Sequence, residues 1–173
     1  MMFLLRLITC SCALCFICAL LLNFSNVWIN LSDSLAHGVY TVTTQKSDLK
    51  KGDLILTCIP ELYSNFALER SYLMAGKCYD KVAPVGKYIV ATTGDLVQST
   101  SDGIYVNHIL IKNSKALNED KNGNPMFIYK INRKLTENEL FVINEKENSF
   151  DSRYFGIINK RQVIGKLQVL KTF

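Results

Sequence analysis

Only two histidines, His37 and His108, occur among the 173 residues, and neither stands in a recognisable Ser-His-Asp motif. Their number does not exclude a serine-protease triad, but nothing in the sequence assembles one. Basic segments interleaved with aromatics are also missing. The net charge of +5 is spread over scattered lysines, so a solvated basic surface is expected and nucleic acid is not an expected partner. No internal repeat or low-complexity stretch occurs, and the length suits one globular domain plus a short appendage. Charge is absent altogether from Leu7 to Leu22.

That uncharged stretch changes the class of the chain. A hydrocarbon core requires about 20 apolar helical residues, and Leu7 to Ile29 can span one if Asn23, Ser25 and Asn26 lie towards one interface. A cleaved signal peptide is the alternative, but Leu20-Leu21-Leu22-Asn23-Phe24 offers no small-x-small site where cleavage would fall. The expectation is an uncleaved transmembrane anchor over residues 1–29 and an exported domain over residues 30–173. Arg6 and the amino terminus precede the segment, and no Lys or Arg follows until after Gln45. The positive-inside rule then keeps the N-terminus in the cytoplasm and places the domain on the outer face, next to the lipid bilayer.

The cysteines divide along the same line. Cys10, Cys12, Cys15 and Cys18 lie in the apolar segment, where a thiol behaves as a small hydrophobe. With no His or acid nearby they make no metal site, and a lipobox ending at Cys10 fails because almost no apolar stretch precedes it. Cys58 and Cys78 lie in the exported part. A disulfide can persist there, and closing a loop of this length contributes roughly 3 kcal/mol in the chain-entropy account. Two buried free thiols are the alternative.

Beyond the connector Asn30 to Gly38, the pattern is one of short strands separated by Gly, Asn and Asp turns. Strands are expected over Val39–Thr44, Asp53–Ile59, Lys87–Ala91, Leu96–Gln98, Gly103–Val106, Leu140–Asn144 and Val163–Leu170. Asn65 is positioned to cap one short helix from Phe66 to Ala75, with Gly76 as terminator. Lys112 to Pro125 is polar and reads as an exposed excursion. The fold class is mainly β, a folded sheet or barrel with that one helix.

Two places carry candidate chemistry. Ser32-Asp33-Ser34 follows the anchor, and a seryl hydroxyl becomes a useful nucleophile only when a base takes its proton. Lysine can be that base if burial in apolar surroundings lowers its pKa by several units. Lys87, within Val85-Gly86-Lys87-Tyr88-Ile89-Val90, is such a lysine if its side chain turns inward. A solvent-facing strand lysine is the alternative. Near the C-terminus, Asn148-Ser149-Phe150-Asp151-Ser152-Arg153-Tyr154-Phe155-Gly156 forms a polar, charge-paired block between strands. Taken alone, Asp151 and Arg153 would be a surface pair worth at most about 1 kcal/mol.

Four ordered blocks resemble the type I signal peptidases, and within them the TraF branch of conjugative-transfer peptidases. These are Ser34-Leu35-Ala36-His37-Gly38-Val39-Tyr40, Lys51-Gly52-Asp53-Leu54-Ile55-Leu56-Thr57-Cys58, Lys87 to Asp95, and Asn148 to Gly156. The resemblance implies a signal-peptidase-like β domain and a Ser/Lys catalytic dyad of Ser34 and Lys87. It implies an oxyanion hole from Ser32 and the Ser34 N–H, a lysine-orienting Ser149, and a supporting pair in Asp151 and Arg153. It implies no metal or organic cofactor. Substrates would be precursor proteins with small residues at the first and third positions before the cut. For the TraF branch this means a pilin precursor, in some relatives joined end to end, with other conjugation or secretion components as further partners. A general signal peptidase, and an inactive anchored β-module that binds a pilus component, are the alternatives. The chain departs from the pattern at Ala36 (usually Pro), Tyr88 (usually Arg), Thr93 (usually Pro) and Asn144-Glu145-Lys146 (often Gly-Asp-Asn).

Overall fold

The computed structural model describes Ser11 and residues 26–46, 48–79 and 81–173. Most of the expected anchor therefore lies outside the described residues. Among the described residues no helix is long and apolar enough to cross a membrane.

Eleven strands are described: β1 (Val27–Asn30), β2 (Gly38–Thr43), β3 (Leu54–Thr57), β4 (Val85–Ala91), β5 (Leu96–Ser99), β6 (Ile104–Val106), β7 (Ile109–Leu110), β8 (Asn132–Lys134), β9 (Glu139–Ile143), β10 (Ile158–Asn159) and β11 (Val163–Thr172). Two short helices, α1 (Ser64–Glu69) and α2 (Ser152–Phe155), and two single 3-10 turns accompany them. Seven strands form one sheet in the order β1-β2-β11-β3-β4-β9-β10, and four form a second in the order β7-β6-β5-β8. Every pairing is antiparallel.

Strand β9 joins the two halves. Its run Leu140-Phe141-Val142-Ile143 is buried on both faces. Because side chains alternate across a strand, Leu140 and Val142 enter a core with Ile55, Ile89, Phe155 and Ile158. Phe141 and Ile143 enter a second core with Val97, Ile104 and Val106. Strand β4 lies between β3 and β9, and the same alternation puts Lys87 on the face of Val85 and Ile89, towards the first core.

The two Gly-Asp pairs have a structural explanation. Gly52 and Gly94 sit at φ 89° and 86°, a region that costs glycine nothing. The carboxylate that follows each closes its turn, Asp53 Oδ2 accepting from the Lys50 N–H at 2.9 Å and Asp95 Oδ2 from the Thr92 N–H at 2.9 Å.

Three expectations need correction. Trp28 and Ile29, read as the tail of the anchor, belong to β1 and pair with Tyr40 and Val39 of β2. Their apolar character serves sheet packing, with the Trp28 ring tilted on Tyr40 at 5.6 Å between centroids. The helix expected over Phe66–Ala75 is α1, which starts at Ser64 and stops at Glu69 without a side-chain cap. Ser71, at φ 56°, turns the chain into the left-handed region, and the Tyr72 N–H closes back on the Ala67 carbonyl at 2.8 Å, a helix-ending motif that Gly76 plays no part in. Finally, α2 is a second helix, inside the block that carries Asp151 and Arg153.

Candidate active site

Lys87 is 1% exposed. It stands opposite Ile55 on β3, and the Nζ donates a hydrogen bond to Ser149 Oγ at 2.6 Å. Burial disfavours the ammonium and pushes the pKa down to about 8. The Asp151 carboxylate opposes that shift and the Arg153 guanidinium adds to it. A lysine so placed is half free amine at about pH 8, where an ordinary lysine is almost wholly charged. The Ser149 bond occupies one of the amine hydrogens, which restricts where the lone pair can point.

The block holding Ser149 is tied from inside. Asp151 and Arg153, a surface pair if taken alone and a supporting pair by the resemblance, are both fully buried. The guanidinium meets the carboxylate at two points, Nε to Oδ1 and Nη2 to Oδ2, each 2.8 Å. It also donates to the carbonyls of Lys146 at 2.8 Å and Asn113 at 3.2 Å, gathering two loops around one charge. Asp151 in turn accepts the Arg153 N–H at the start of α2 and the Asn144 N–H at 3.2 Å. The estimate for an exposed pair does not apply here, because removing one member of a buried pair strands the other charge.

Ser34 lies on the turn between β1 and β2, partly exposed. Its Oγ is 3.1 Å from Ser32 Oγ. Among the hydrogen bonds of the described residues none joins Ser34 to Lys87. Asn144, at the end of β9 and 1% exposed, connects their backbones. Its Nδ2 donates to the Ser34 carbonyl at 2.8 Å and the Gly86 carbonyl at 3.0 Å, while its Oδ1 accepts the Tyr88 N–H at 3.3 Å. The Ser34 turn is thereby pinned to both neighbours of Lys87. An open cleft of about 790 Å³ borders the turn, lined by Ser34, Leu35, Tyr88, Ile111 and Asn144 among others. His37 Nε2 lies 3.1 Å from Asp33 Oδ1 on the same turn, but the imidazole makes no described hydrogen bond to Ser34. His108 is remote in sequence, on the β6–β7 turn.

Cys58 and Cys78 form a disulfide that ties the end of β3 to the segment leading into β4.

The family described as "Signal peptidase, peptidase S26" matches residues 1–171. The chain belongs to that family. As an S26 peptidase it acts on a precursor protein. It is similar to the plasmid transfer protein TraF of Escherichia coli, 33% identical over 138 residues, covering 78% of this chain and 76% of that protein. It is also similar to the probable conjugal transfer protein TraF of Sinorhizobium fredii, 30% identical over 154 residues, covering 87% and 79%. A crystal structure of a signal peptidase I from Enterococcus faecalis matches with TM-score 0.40 and 20% identity, covering 70% of this chain and 98% of that one.

Two functional candidates in this S26 peptidase escaped the reading of the sequence. Asn144 entered it only as a departure from a motif, and Asn30 only as the first residue of a connector. Each acts through an amide at a single position. The available signal was a lone asparagine ending an apolar strand, Leu140 to Asn144 in one case and Val27 to Asn30 in the other.

Proposed function

We propose that the protein is a membrane-anchored serine endopeptidase in which Ser34 is the nucleophile and Lys87 the general base. The observation that carries this reading is the full burial of Lys87, with its amine on Ser149 and its pKa near 8. Ser34 Oγ turns from Ser32 towards the amine and attacks the scissile carbonyl. Its proton passes to Lys87 and then to the leaving amine, and water resolves the acyl-enzyme. The Ser32 hydroxyl and the Ser34 N–H receive the developing oxyanion. Asp151 and Arg153 hold the Ser149 loop and touch no substrate.

The substrate is an exported precursor with small residues at the first and third positions before the cut. The similarity to TraF proteins named for plasmid and conjugal transfer supports a pilin precursor of a conjugation apparatus. The N-terminal apolar segment holds the enzyme in a bacterial cytoplasmic membrane with its catalytic domain on the outer face. The test is processing of a pilin-type precursor by the full chain, compared with Ser34→Ala and Lys87→Ala. Both variants are expected to lose processing; equal processing by all three would sink the dyad.

A further inference from the structure

Asn30 closes β1 immediately before the nucleophile turn, and its side chain is 2% exposed. It makes five hydrogen bonds, all to that turn. Nδ2 donates to the carbonyls of Ser32 at 3.0 Å, Leu35 at 2.9 Å and Ala36 at 3.1 Å. Oδ1 accepts the Ser32 N–H at 3.2 Å and the Ser32 hydroxyl at 2.7 Å. Tyr40 supports the same turn from β2, its hydroxyl donating to the Ala36 carbonyl at 2.7 Å.

The amide can sit only one way round. Three carbonyls face one end and an N–H faces the other, so reversing it would set donor against donor and acceptor against acceptor. Hydrogen-bond direction along the turn follows. Oδ1 cannot donate, so the Ser32 hydroxyl spends its single hydrogen on Asn30. The 3.1 Å contact between Ser32 Oγ and Ser34 Oγ must then use the Ser34 hydrogen. The resting chain of donors runs from Ser34 to Ser32 to Asn30.

We propose that Asn30 is a positioning residue for the reaction, holding the Ser32 hydroxyl as a donor until an oxyanion forms. The inference rests on the Ser34/Lys87 reading above. When the Ser34 proton moves to the Lys87 amine and the Ser34 oxygen bonds to the scissile carbonyl carbon, the carbonyl π electrons move onto its oxygen. That anion is a stronger acceptor than a neutral amide, so the Ser32 hydroxyl swings from Asn30 Oδ1 to the oxyanion. Asn30 Oδ1 keeps the Ser32 N–H and is not left as an orphaned buried acceptor. The Ser32–oxyanion bond forms only in the transition state, and such an interaction raises kcat without lowering KM; the Asn30 bonds that persist, to the turn carbonyls and the Ser32 N–H, keep that hydroxyl in place.

Asn30→Asp tests this with nearly the same shape. A carboxylate would hold the Ser32 hydroxyl by a charge-assisted bond and repel the oxyanion, and it offers no donor to the three carbonyls. The experiment measures kcat and KM for the full chain in detergent, with a precursor peptide carrying alanine at the first and third positions before the cut. Wild type is compared with Asn30→Asp, Ser32→Ala, the double variant and Ser34→Ala. Asn30→Asp and Ser32→Ala are each expected to lower kcat by about 100- to 1,000-fold, the range for loss of one oxyanion donor. KM should stay within about threefold, and the double variant should be no more than about threefold worse than the poorer single, because both changes disable one donor. If Asn30→Asp fails to fold, Asn30→Gln, which displaces the same amide by a methylene, carries the same comparison. Asn30 variants with wild-type kcat, a loss confined to KM, or multiplying effects in the double variant would overturn the proposal. Activity retained by Ser34→Ala would instead overturn the reading on which it rests.

Discussion

A buried lysine is costly, and at Lys87 the cost can be assigned a pH window. The folded protein gives up this proton near pH 8, whereas an unfolded lysine keeps it to about 10.4. Between those values the unfolded chain binds more protons, so stability rises with pH through the window. Below about pH 8 the whole penalty weighs on the fold. Lys87→Met is therefore expected to be inactive and more stable at pH 7, by up to roughly 3 kcal/mol on the size of the shift. Urea unfolding at pH 7 and pH 10 checks this, since the advantage should shrink at the higher pH. At this scale the family pattern drew attention to Ser32, Ser34, Lys87 and Ser149, and the structure puts Lys87 on Ser149 and Ser34 beside Ser32. Whether Lys87 turned inward was not legible, because alternation along β4 allows either face and only the positions of β3 and β9 settle it. Asn30 and Asn144 were not legible because a side-chain amide leaves no periodic trace.

Among the elements, the strands were largely readable and the helices were not. Alternating β-branched and aromatic runs bounded by Gly-Asp turns located most strands to within a residue or two at each end. Strand β1 was hidden because Val27-Trp28-Ile29 continues an apolar run, and hydropathy does not distinguish the end of a membrane segment from an edge strand. Helix α1 ends early for a backbone reason, the left-handed Ser71, which carries no compositional signal. The Asn148–Gly156 block is held by tertiary bonds from Arg153 to loops far away in sequence, invisible locally. Its burial makes a firm prediction. Arg153→Met leaves Asp151 buried without its partner and should cost about 3–5 kcal/mol, measured as a drop in chemical-denaturation stability. Activity should fall with it through loss of the Ser149 loop. A change below 1 kcal/mol would mean that the pair behaves as an exposed one.

For the whole molecule, the arrangement joins three segments distant in sequence. The Ser34 turn leaves β1 at one edge of the large sheet, Lys87 sits on β4 near its middle, and Ser149 follows β9, whose two buried faces bind both cores together. Asn144 ties the turn to the strand, and the Cys58–Cys78 disulfide secures the chain between β3 and β4. On the proposed Ser34/Lys87 reading, such a frame would hold an amine and a hydroxyl for proton transfer without a histidine. The most direct test is the pH dependence of kcat/KM for cleavage of a precursor peptide, which reports the groups of the free enzyme. Lys87 as base predicts a rate that climbs about tenfold per pH unit and levels off above about pH 8. A rate that stays flat between about pH 6 and pH 9 would contradict the account.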